Sequence, residues 1–166
     1  MEVDKKKVLV LGCGSIGSKY VNLLINFGFS VDVYDIKKID NKLFDNKVTF
    51  FESIEACIKR EPDFVIISTP PNAHFSCLKK VIESKAKILL EKPLAASIAD
   101  AKNIIEIAKK NKGKVWCVAN MRYHPGFQAI ERNINNLGKI YSATSHFSHK
   151  LSQMRPLSSN TNGFFI

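Results

Sequence analysis

The sequence lacks the features that would place it in a membrane or in an oxidising compartment. Its 166 residues contain no run of eighteen apolar residues, and the stretch MEVDKKKVLVLG passes from charge directly into a strand-like segment without a small-residue cleavage site. We therefore expect no membrane span, no signal peptide and a cytoplasmic location. The four cysteines form no CxxC pair and have no histidine at ligand spacing, which argues against a metal site and against a disulfide framework.

Arginine is also scarce, although the chain is basic. The formal net charge is +10, yet only four of the 25 basic residues are arginines, and the lysines are dispersed singly or in pairs. Nucleic-acid surfaces more often cluster arginines and interleave aromatic side chains along one face. The composition therefore favours an ordinary solvated surface over nucleic-acid binding, although the excess positive charge is still able to attract an anionic substrate.

What the sequence does have is a regular alternation of strand-like and helix-like segments. Short apolar runs with strand character cover residues 7–12, 30–35, 47–51, 63–69, 86–91 and 114–120. Helical patterns lie between several of them, and Ser97 with Asp100 has the spacing of a capping box. This alternation predicts an α/β fold with a doubly wound parallel sheet of the Rossmann type. Because such sheets bind ligands at the carboxyl ends of their strands, the residues that follow each apolar run are candidate site residues.

The pattern changes after about residue 113. A helix is predicted to begin at Pro125, and a loosely alternating strand is predicted from Lys139 to Phe147. The tail beyond it is polar and has no clear period. We therefore expect one domain over residues 1–122 and the start of another over residues 123–166.

The first strand ends in GCGSIG, in which Gly12, Gly14 and Gly17 match the GxGxxG pattern. Three glycines alone are a weak signal, but these follow a strand, open a helix and precede Asp35 at the end of the second strand. Gly12 permits the tight turn, Gly14 lets the backbone approach a pyrophosphate, and Gly17 allows close helix packing. The motif predicts a dinucleotide site at a helix N-terminus, and the alternative is a glycine-rich turn without a ligand.

Asp35 bears on the choice of cofactor. Its carboxylate is expected to accept hydrogen bonds from the adenosine ribose hydroxyls and to repel a 2′-phosphate, which favours NAD over NADP. Lys37 and Lys38 follow at once, and a lysine there is able to swing toward a phosphate, so NADP stays an alternative. In a purely structural interpretation, Asp35 is a turn-forming acid after a strand.

The fourth and sixth strands also end in polar residues. The segment STPPNAH, residues 68–74, offers Thr69, Asn72 and His74 over the same crevice, with two prolines fixing the backbone. His74 is expected either to contact the cofactor or to cap the following helix. The sixth run ends in ANMRYHP, in which Arg122 either binds a carboxamide or substrate oxygen or pairs with a helix C-terminus.

The fifth strand ends in Glu91, Lys92 and Pro93. A lysine at the rim of a nucleotide crevice can hydrogen-bond a substrate hydroxyl and stabilise developing alkoxide charge, or relay a proton. Glu91 is expected either to fix the position of Lys92 or to contact the nicotinamide ribose. Alone, the motif is better explained as a surface Glu and Lys before a helix, but the glycine loop at the same sheet edge makes Lys92 the candidate catalytic residue.

The segments GCGSIG, STPPNAH, EKPLA and NMRYHPGF together resemble the glucose–fructose oxidoreductase, inositol dehydrogenase and rhizopine-catabolism family of NAD(P)-dependent sugar oxidoreductases. The resemblance implies a Rossmann domain, a second α/β domain that covers the nicotinamide, a sugar, nucleotide-sugar or cyclic-polyol substrate, and a homo-oligomer at full length. It makes Lys92 the catalytic lysine and allows a cis Lys92–Pro93 peptide bond. It implies dinucleotide contacts from Gly12, Gly14, Ser15, Ile16, Gly17, Asp35, Thr69, Pro70, Asn72, His74, Glu91, Lys92 and Arg122.

The sequence departs from this family in length. Family members are roughly twice as long, as two domains require. The Asp/His pair that acts in proton transfer in their second domain has no counterpart here, since His146 and His149 do not match its motif. We therefore expect either a truncated chain, so that the second α/β domain is incomplete, or a short paralogue. Its function is then either that of a dehydrogenase that uses Lys92 or that of a non-catalytic dinucleotide-binding module or regulator.

Overall fold

Six parallel strands form one sheet in the computed structural model, which describes residues 5–146. Their spatial order is β3-β2-β1-β4-β5-β6. The strands are β1 (Lys7–Leu11), β2 (Ser30–Tyr34), β3 (Val48–Phe51), β4 (Phe64–Ile67), β5 (Lys87–Leu90) and β6 (Val115–Cys117). The chain order reverses between β1 and β4, which is the switch point of a doubly wound sheet. The predicted Rossmann fold is confirmed.

Helices cover both faces of this sheet. The described helices are α1 (Ser15–Asn26), α2 (Ile54–Ile58), α3 (His74–Val81), α4 (Ile98–Lys110) and α5 (Pro125–Asn133). Helix α1 packs on one face, and α2, α3 and α4 pack on the other. Within residues 5–146, no helix is both long enough and apolar enough to cross a membrane.

The continuous apolar runs of the strands follow from burial on both faces. In β1, Leu9 and Leu11 face the core shared with α2, α3 and α4, whereas Val8 and Val10 face the core shared with α1. All four side chains are at most 2% exposed. A strand of this kind has no solvent-facing positions, so its sequence shows no alternation of apolar and polar residues.

Two local sequence signals define helix ends. Gly28 has a φ of +82° directly after α1, a conformation that favours glycine, and it ends that helix. Ser97 accepts a hydrogen bond from the Asp100 N–H at 3.1 Å and caps α4, as the spacing predicts. The Ser97 hydroxyl also donates to the Asp100 carboxylate at 2.9 Å.

Beyond β6 the chain enters a second compact unit, which begins at Met121. Helix α5 begins at Pro125 in this unit, as predicted. The predicted strand from Lys139 to Phe147 is wrong over residues 139–146, which are exposed and form no strand, and Phe147 lies outside the described residues. An alternating segment becomes a strand only where a neighbouring strand pairs with its backbone. The domain boundary expected after Arg122 stays a prediction.

One carboxylate is buried in the middle of the sheet. Asp32 of β2 is 3% exposed, and its Oδ2 lies 3.5 Å from Nε of the partly exposed Arg60. Its Oδ1 has no hydrogen-bond partner within the described part of the chain. Burial raises the pKa of Asp32, and the attraction of Arg60 only partly opposes this. The charged form of this residue therefore destabilises the folded state.

Asp32→Asn is expected to raise the free energy of unfolding at about pH 7 by about 1 kcal/mol. The pKa of Asp32 is higher in the folded state than in the unfolded state, so protonation of Asp32 favours folding. This stabilising contribution is complete at low pH and is lost as pH rises through the folded pKa. The difference between variant and wild type should therefore narrow as pH falls and be largely gone at about pH 3, below the unfolded pKa. Urea unfolding at both pH values measures it, with the exposed Glu106→Gln as control. A variant less stable than the wild type at neutral pH would contradict this account.

Candidate functional site

Backbone hydrogen bonds align the strand ends along the carboxyl edge of the sheet. The Gly12 N–H donates to Tyr34 O (2.8 Å), the Ser68 N–H to Leu11 O (2.8 Å), and the Glu91 N–H to Ile67 O (2.9 Å). These bonds set Gly12, Ser68 and Glu91 side by side at the ends of β1, β4 and β5. Neighbouring strands lie about 4.8 Å apart, so about 10 Å separates the glycine loop from Glu91.

At two of the three motif positions, the surrounding atoms leave no space for a side chain larger than that of glycine. Gly12 has a φ of +86°, and a Cβ there would lie 2.8 Å from the backbone nitrogen of Thr69. A Cβ on Gly17 would lie 1.9 Å from the carbonyl oxygen of Gly12. The loop therefore packs tightly against the first turn of α1 and against the loop after β4.

Gly14 and the N-terminus of α1 are open. A Cβ on Gly14 would meet no atom within 4 Å, and no side chain caps the helix at this residue. Ser15 and Ile16 are exposed, and the first turn contains no acidic residue. The amides and the dipole of this twelve-residue helix favour an anion. A pyrophosphate fits this place, because the place offers backbone donors, open space and a first turn without acidic residues.

The Asp35 carboxylate connects the end of β2 to the glycine loop. Its Oδ2 accepts a hydrogen bond from the Cys13 N–H at 2.6 Å, and its Oδ1 accepts one from the Lys37 N–H at 2.7 Å. Each oxygen keeps a further lone pair, so the side chain can still accept bonds from ribose hydroxyls. Burial, and secondarily the charge of Asp35, raise the pKa of the Cys13 thiol to about 11, so this thiol stays protonated beside the loop.

Ser68 holds the glycine loop, although the sequence did not predict it as a site residue. Its hydroxyl donates to the carbonyl oxygen of Gly12 at 2.8 Å. A Cβ on Gly17 would lie 2.9 Å from the same hydroxyl oxygen. The signal that could have found Ser68 is its place directly after the apolar run of β4, but its contact partner follows only from the strand order. Thr69, the next residue, is half-buried.

His74 begins α3 and is completely buried. Its Nε2 lies 2.9 Å from the carbonyl oxygen of Thr69, and its Nδ1 lies 3.2 Å from that of Leu94. The ring thus bridges the loops that follow β4 and β5. A neutral imidazole donates one of these bonds, and a protonated ring donates both. The protein encloses the His74 side chain, which contacts the backbone of both loops and has no exposed surface for a cofactor to touch.

Glu91 connects Lys92 to helix α1. Its Oε2 accepts a hydrogen bond from the Lys92 N–H at 2.9 Å, and its Oε1 accepts one from the Tyr20 hydroxyl at 2.6 Å. The Lys92–Pro93 peptide bond is cis, and the Lys92 side chain is exposed. Tyr20 is absent from the predicted site residues. Its signal in the sequence is its place three residues after Gly17, on the same face of a helix.

The other predicted contacts are exposed. Pro70 and Asn72 lie in the loop before α3, and Arg122 lies in the second compact unit. Their contacts with a cofactor stay predictions. Within the part of the chain that the structure describes, no three His, Cys, Asp or Glu side chains gather as a metal ion would require.

A family model and several curated proteins match this chain. The model of an oxidoreductase family with an NAD-binding Rossmann fold matches residues 6–119. The putative oxidoreductase YteT of Bacillus subtilis (strain 168) is 32% identical over 85 residues, which cover 51% of this chain and 20% of that protein. The inositol 2-dehydrogenase/D-chiro-inositol 3-dehydrogenase of Lacticaseibacillus casei is 26% identical over 138 residues, which cover 78% of this chain and 40% of that protein.

Solved structures share the fold. The WlbA dehydrogenase of Chromobacterium violaceum, crystallised with NADH and UDP-GlcNAcA, has a TM-score of 0.70 at 22% sequence identity. The match covers 85% of this chain and 43% of that one. The chain thus spans less than half the length of the relatives named here. By the family match over its Rossmann domain, the chain belongs to the Gfo/Idh/MocA family of oxidoreductases.

Proposed function

We propose that this chain is the dinucleotide-binding part of an NAD-dependent dehydrogenase that acts on a sugar, nucleotide sugar or cyclic polyol. The observation that carries the proposal is the open, uncapped N-terminus of α1 at Gly14. Asp35 lies beside it directly after β2, and Glu91 with Lys92 follows β5, two strands away on the other side. One sheet edge therefore offers donors for phosphates, an acceptor for a ribose and a lysine for a substrate oxygen.

Different groups of the site would bind the cofactor and the substrate. The amides at Ser15 and Ile16 would bind the pyrophosphate, and Asp35 would accept hydrogen bonds from the adenosine ribose. When bound, NAD supplies the acceptor for the hydride that leaves the carbinol carbon. The Lys92 ammonium would donate a hydrogen bond to the substrate oxygen and stabilise the negative charge that develops there as the hydroxyl proton passes to water.

The relatives support the substrate class. The protein from Lacticaseibacillus casei is named an inositol dehydrogenase, and the WlbA dehydrogenase was crystallised with a nucleotide sugar. Inositol and the nucleotide sugar both carry ring carbinols of the kind that the proposed chemistry requires. The shared feature is a secondary hydroxyl group on a six-membered ring.

Fluorescence titration of the 166-residue chain with NADH tests the proposal. Saturable binding of one NADH per chain is expected. ADP-ribose should compete, because it carries the pyrophosphate and the adenosine ribose that the glycine loop and Asp35 would bind. A chain that binds neither NADH nor NADPH would overturn the proposal.

Asp35→Ser is expected to weaken NADH binding about 10-fold, because charged acceptors form the stronger hydrogen bonds to ribose hydroxyls. The wild type should prefer NADH, since the carboxylate would repel a 2′-phosphate, and the variant should lose this preference beside Lys37 and Lys38. Titrations with both nucleotides measure the change. Asp40→Ser is the control, because Asp40 only caps a short helical turn through the Lys42 N–H and serine can replace that cap. A wild type that binds both nucleotides equally would argue against this role of Asp35.

A second candidate function is favoured by the place of the site. The glycine loop, Asp35, Glu91 and Lys92 all lie in the first compact unit. A dinucleotide-binding module or a redox-sensing regulator would require no substrate domain. NADH binding without turnover of any polyol or sugar would favour this function over the dehydrogenase.

A further inference from the structure

Tyr20 lies on α1, the same helix whose N-terminus is open at Gly14. Its half-buried ring packs against the core on that face of the sheet. Its hydroxyl donates to Glu91 Oε1 at 2.6 Å, a length typical of the strong hydrogen bonds that a hydroxyl makes to a carboxylate. The bond spans 71 residues of sequence and joins α1 directly to the end of β5.

The Glu91 carboxylate is fixed through both of its oxygens. While Tyr20 holds Oε1, the Lys92 N–H donates to Oε2 at 2.9 Å. Burial raises the pKa of Tyr20, and the hydrogen bond to Glu91 raises it further, so the phenol keeps its proton and stays a donor at neutral pH. Two residues beyond Lys92, the Leu94 carbonyl oxygen lies 3.2 Å from the His74 ring. Lys92 is therefore held between two side-chain contacts, one on each side along the chain.

We propose that Tyr20 is a positioning residue for the nicotinamide end of the site and acts through Glu91. The inference rests on the proposed function, in which Glu91 accepts a hydrogen bond from the nicotinamide ribose. Tyr20 touches neither substrate nor cofactor in this account. Its role is to fix the Glu91 carboxylate, and the Lys92 backbone that is bonded to it, relative to the helix that binds the pyrophosphate.

Loss of a purely structural tyrosine and loss of a positioning tyrosine would have different effects on the affinities of two nucleotides. NADH reaches both ends of the site, whereas ADP lacks both the nicotinamide and its ribose and would contact only the glycine loop and Asp35. Damage to the fold would weaken the binding of both ligands alike. A displaced Glu91 would weaken the binding of NADH and leave that of ADP unchanged.

Tyr20→Phe removes the hydroxyl and keeps the packed ring. The expected result is an NADH dissociation constant raised about 10-fold, with that for ADP within about twofold of the wild type. Fluorescence titration measures the first, and displacement of NADH by ADP measures the second. Tyr141→Phe is the matched control, since Tyr141 is 84% exposed and lies in the second unit, and it should change neither value. Equal weakening of both ligands, or no weakening of NADH, would overturn the inference.

The Glu91→Ala background tests whether Tyr20 acts through Glu91. In that background Tyr20→Phe should add no further loss of NADH affinity, and an additive loss would contradict the inference. Amide hydrogen exchange at Lys92 is a readout that needs no ligand, and Tyr20→Phe should accelerate it about 10-fold while exchange in β1 stays unchanged. If the wild type binds no dinucleotide, the proposed function has failed. Amide hydrogen exchange at Lys92 then still tests whether the bond from Tyr20 to Glu91 fixes the Lys92 backbone. Unchanged exchange at Lys92 would then overturn the role of Tyr20 as well.

Discussion

Gly17→Ala is expected to lower the free energy of unfolding by more than about 3 kcal/mol, because the new methyl group has no space. Its Cβ would lie 1.9 Å from the Gly12 carbonyl oxygen and 2.9 Å from the Ser68 hydroxyl oxygen. The loop cannot retreat easily, since hydrogen bonds to Tyr34 and from Ser68 hold Gly12 at both its nitrogen and its oxygen. The better helix propensity of alanine, about 1 kcal/mol, is too small to offset this clash.

Gly14→Ala is the matched control for that variant. The same methyl group is added three residues earlier, where it would meet no atom within 4 Å, and the backbone φ of −71° suits any residue. Urea unfolding should therefore show a change within about 0.5 kcal/mol. NADH affinity should nevertheless fall, because the methyl group would enter the space proposed for the pyrophosphate. If Gly17→Ala were as stable as Gly14→Ala, the tight packing of the glycine loop would be refuted.

The sheet could be predicted because its signals are local. Each strand is a short apolar run, and the helix limits at Gly28 and Ser97 depend on residues within one turn. The glycine loop and Asp35 could be placed together for the same reason, since a βαβ unit brings consecutive strand ends to one edge. The predicted strand that is absent over residues 139–146 shows where local sequence signals are insufficient. Its alternation is local, but a strand also needs a pairing partner, which no local pattern supplies.

The contacts that complete the site could not be predicted because they join distant parts of the chain. Ser68 meets Gly12, and Tyr20 meets Glu91, only once the strand order has placed β4 beside β1 and β5 beside β4. His74 illustrates the same point, since a histidine after a strand looks like a ligand contact until both ring nitrogens are found facing carbonyl groups. These residues join the loops at the strand ends, and their contacts bridge long stretches of sequence that no local pattern relates.

Lys92→Met is expected to lower the rate of NAD reduction about 10²–10³-fold, the cost of removing one donor that stabilises charge in a transition state. Methionine approximates the length of the side chain but carries neither charge nor hydrogen-bond donor. NADH binding should change little, because the backbone N–H of residue 92, which donates to Glu91, is kept in the variant. The absorbance of NADH, followed with NAD and a panel that includes myo-inositol and a UDP-sugar, measures turnover. Fluorescence titration measures binding.

Lys112→Met is the control for the same change of side chain, since Lys112 is exposed in the turn between α4 and β6, at the opposite end of that strand from the site. Its turnover and binding should match those of the wild type. Turnover by Lys92→Met at the wild-type rate would contradict a catalytic role for this lysine. A wild-type chain that binds NADH but reduces no NAD with any member of the panel would instead favour the dinucleotide-binding module. Binding and turnover measured on the same three proteins therefore separate the two functions, because Lys92→Met keeps the groups proposed to bind NADH and removes only the donor proposed to stabilise the substrate oxygen.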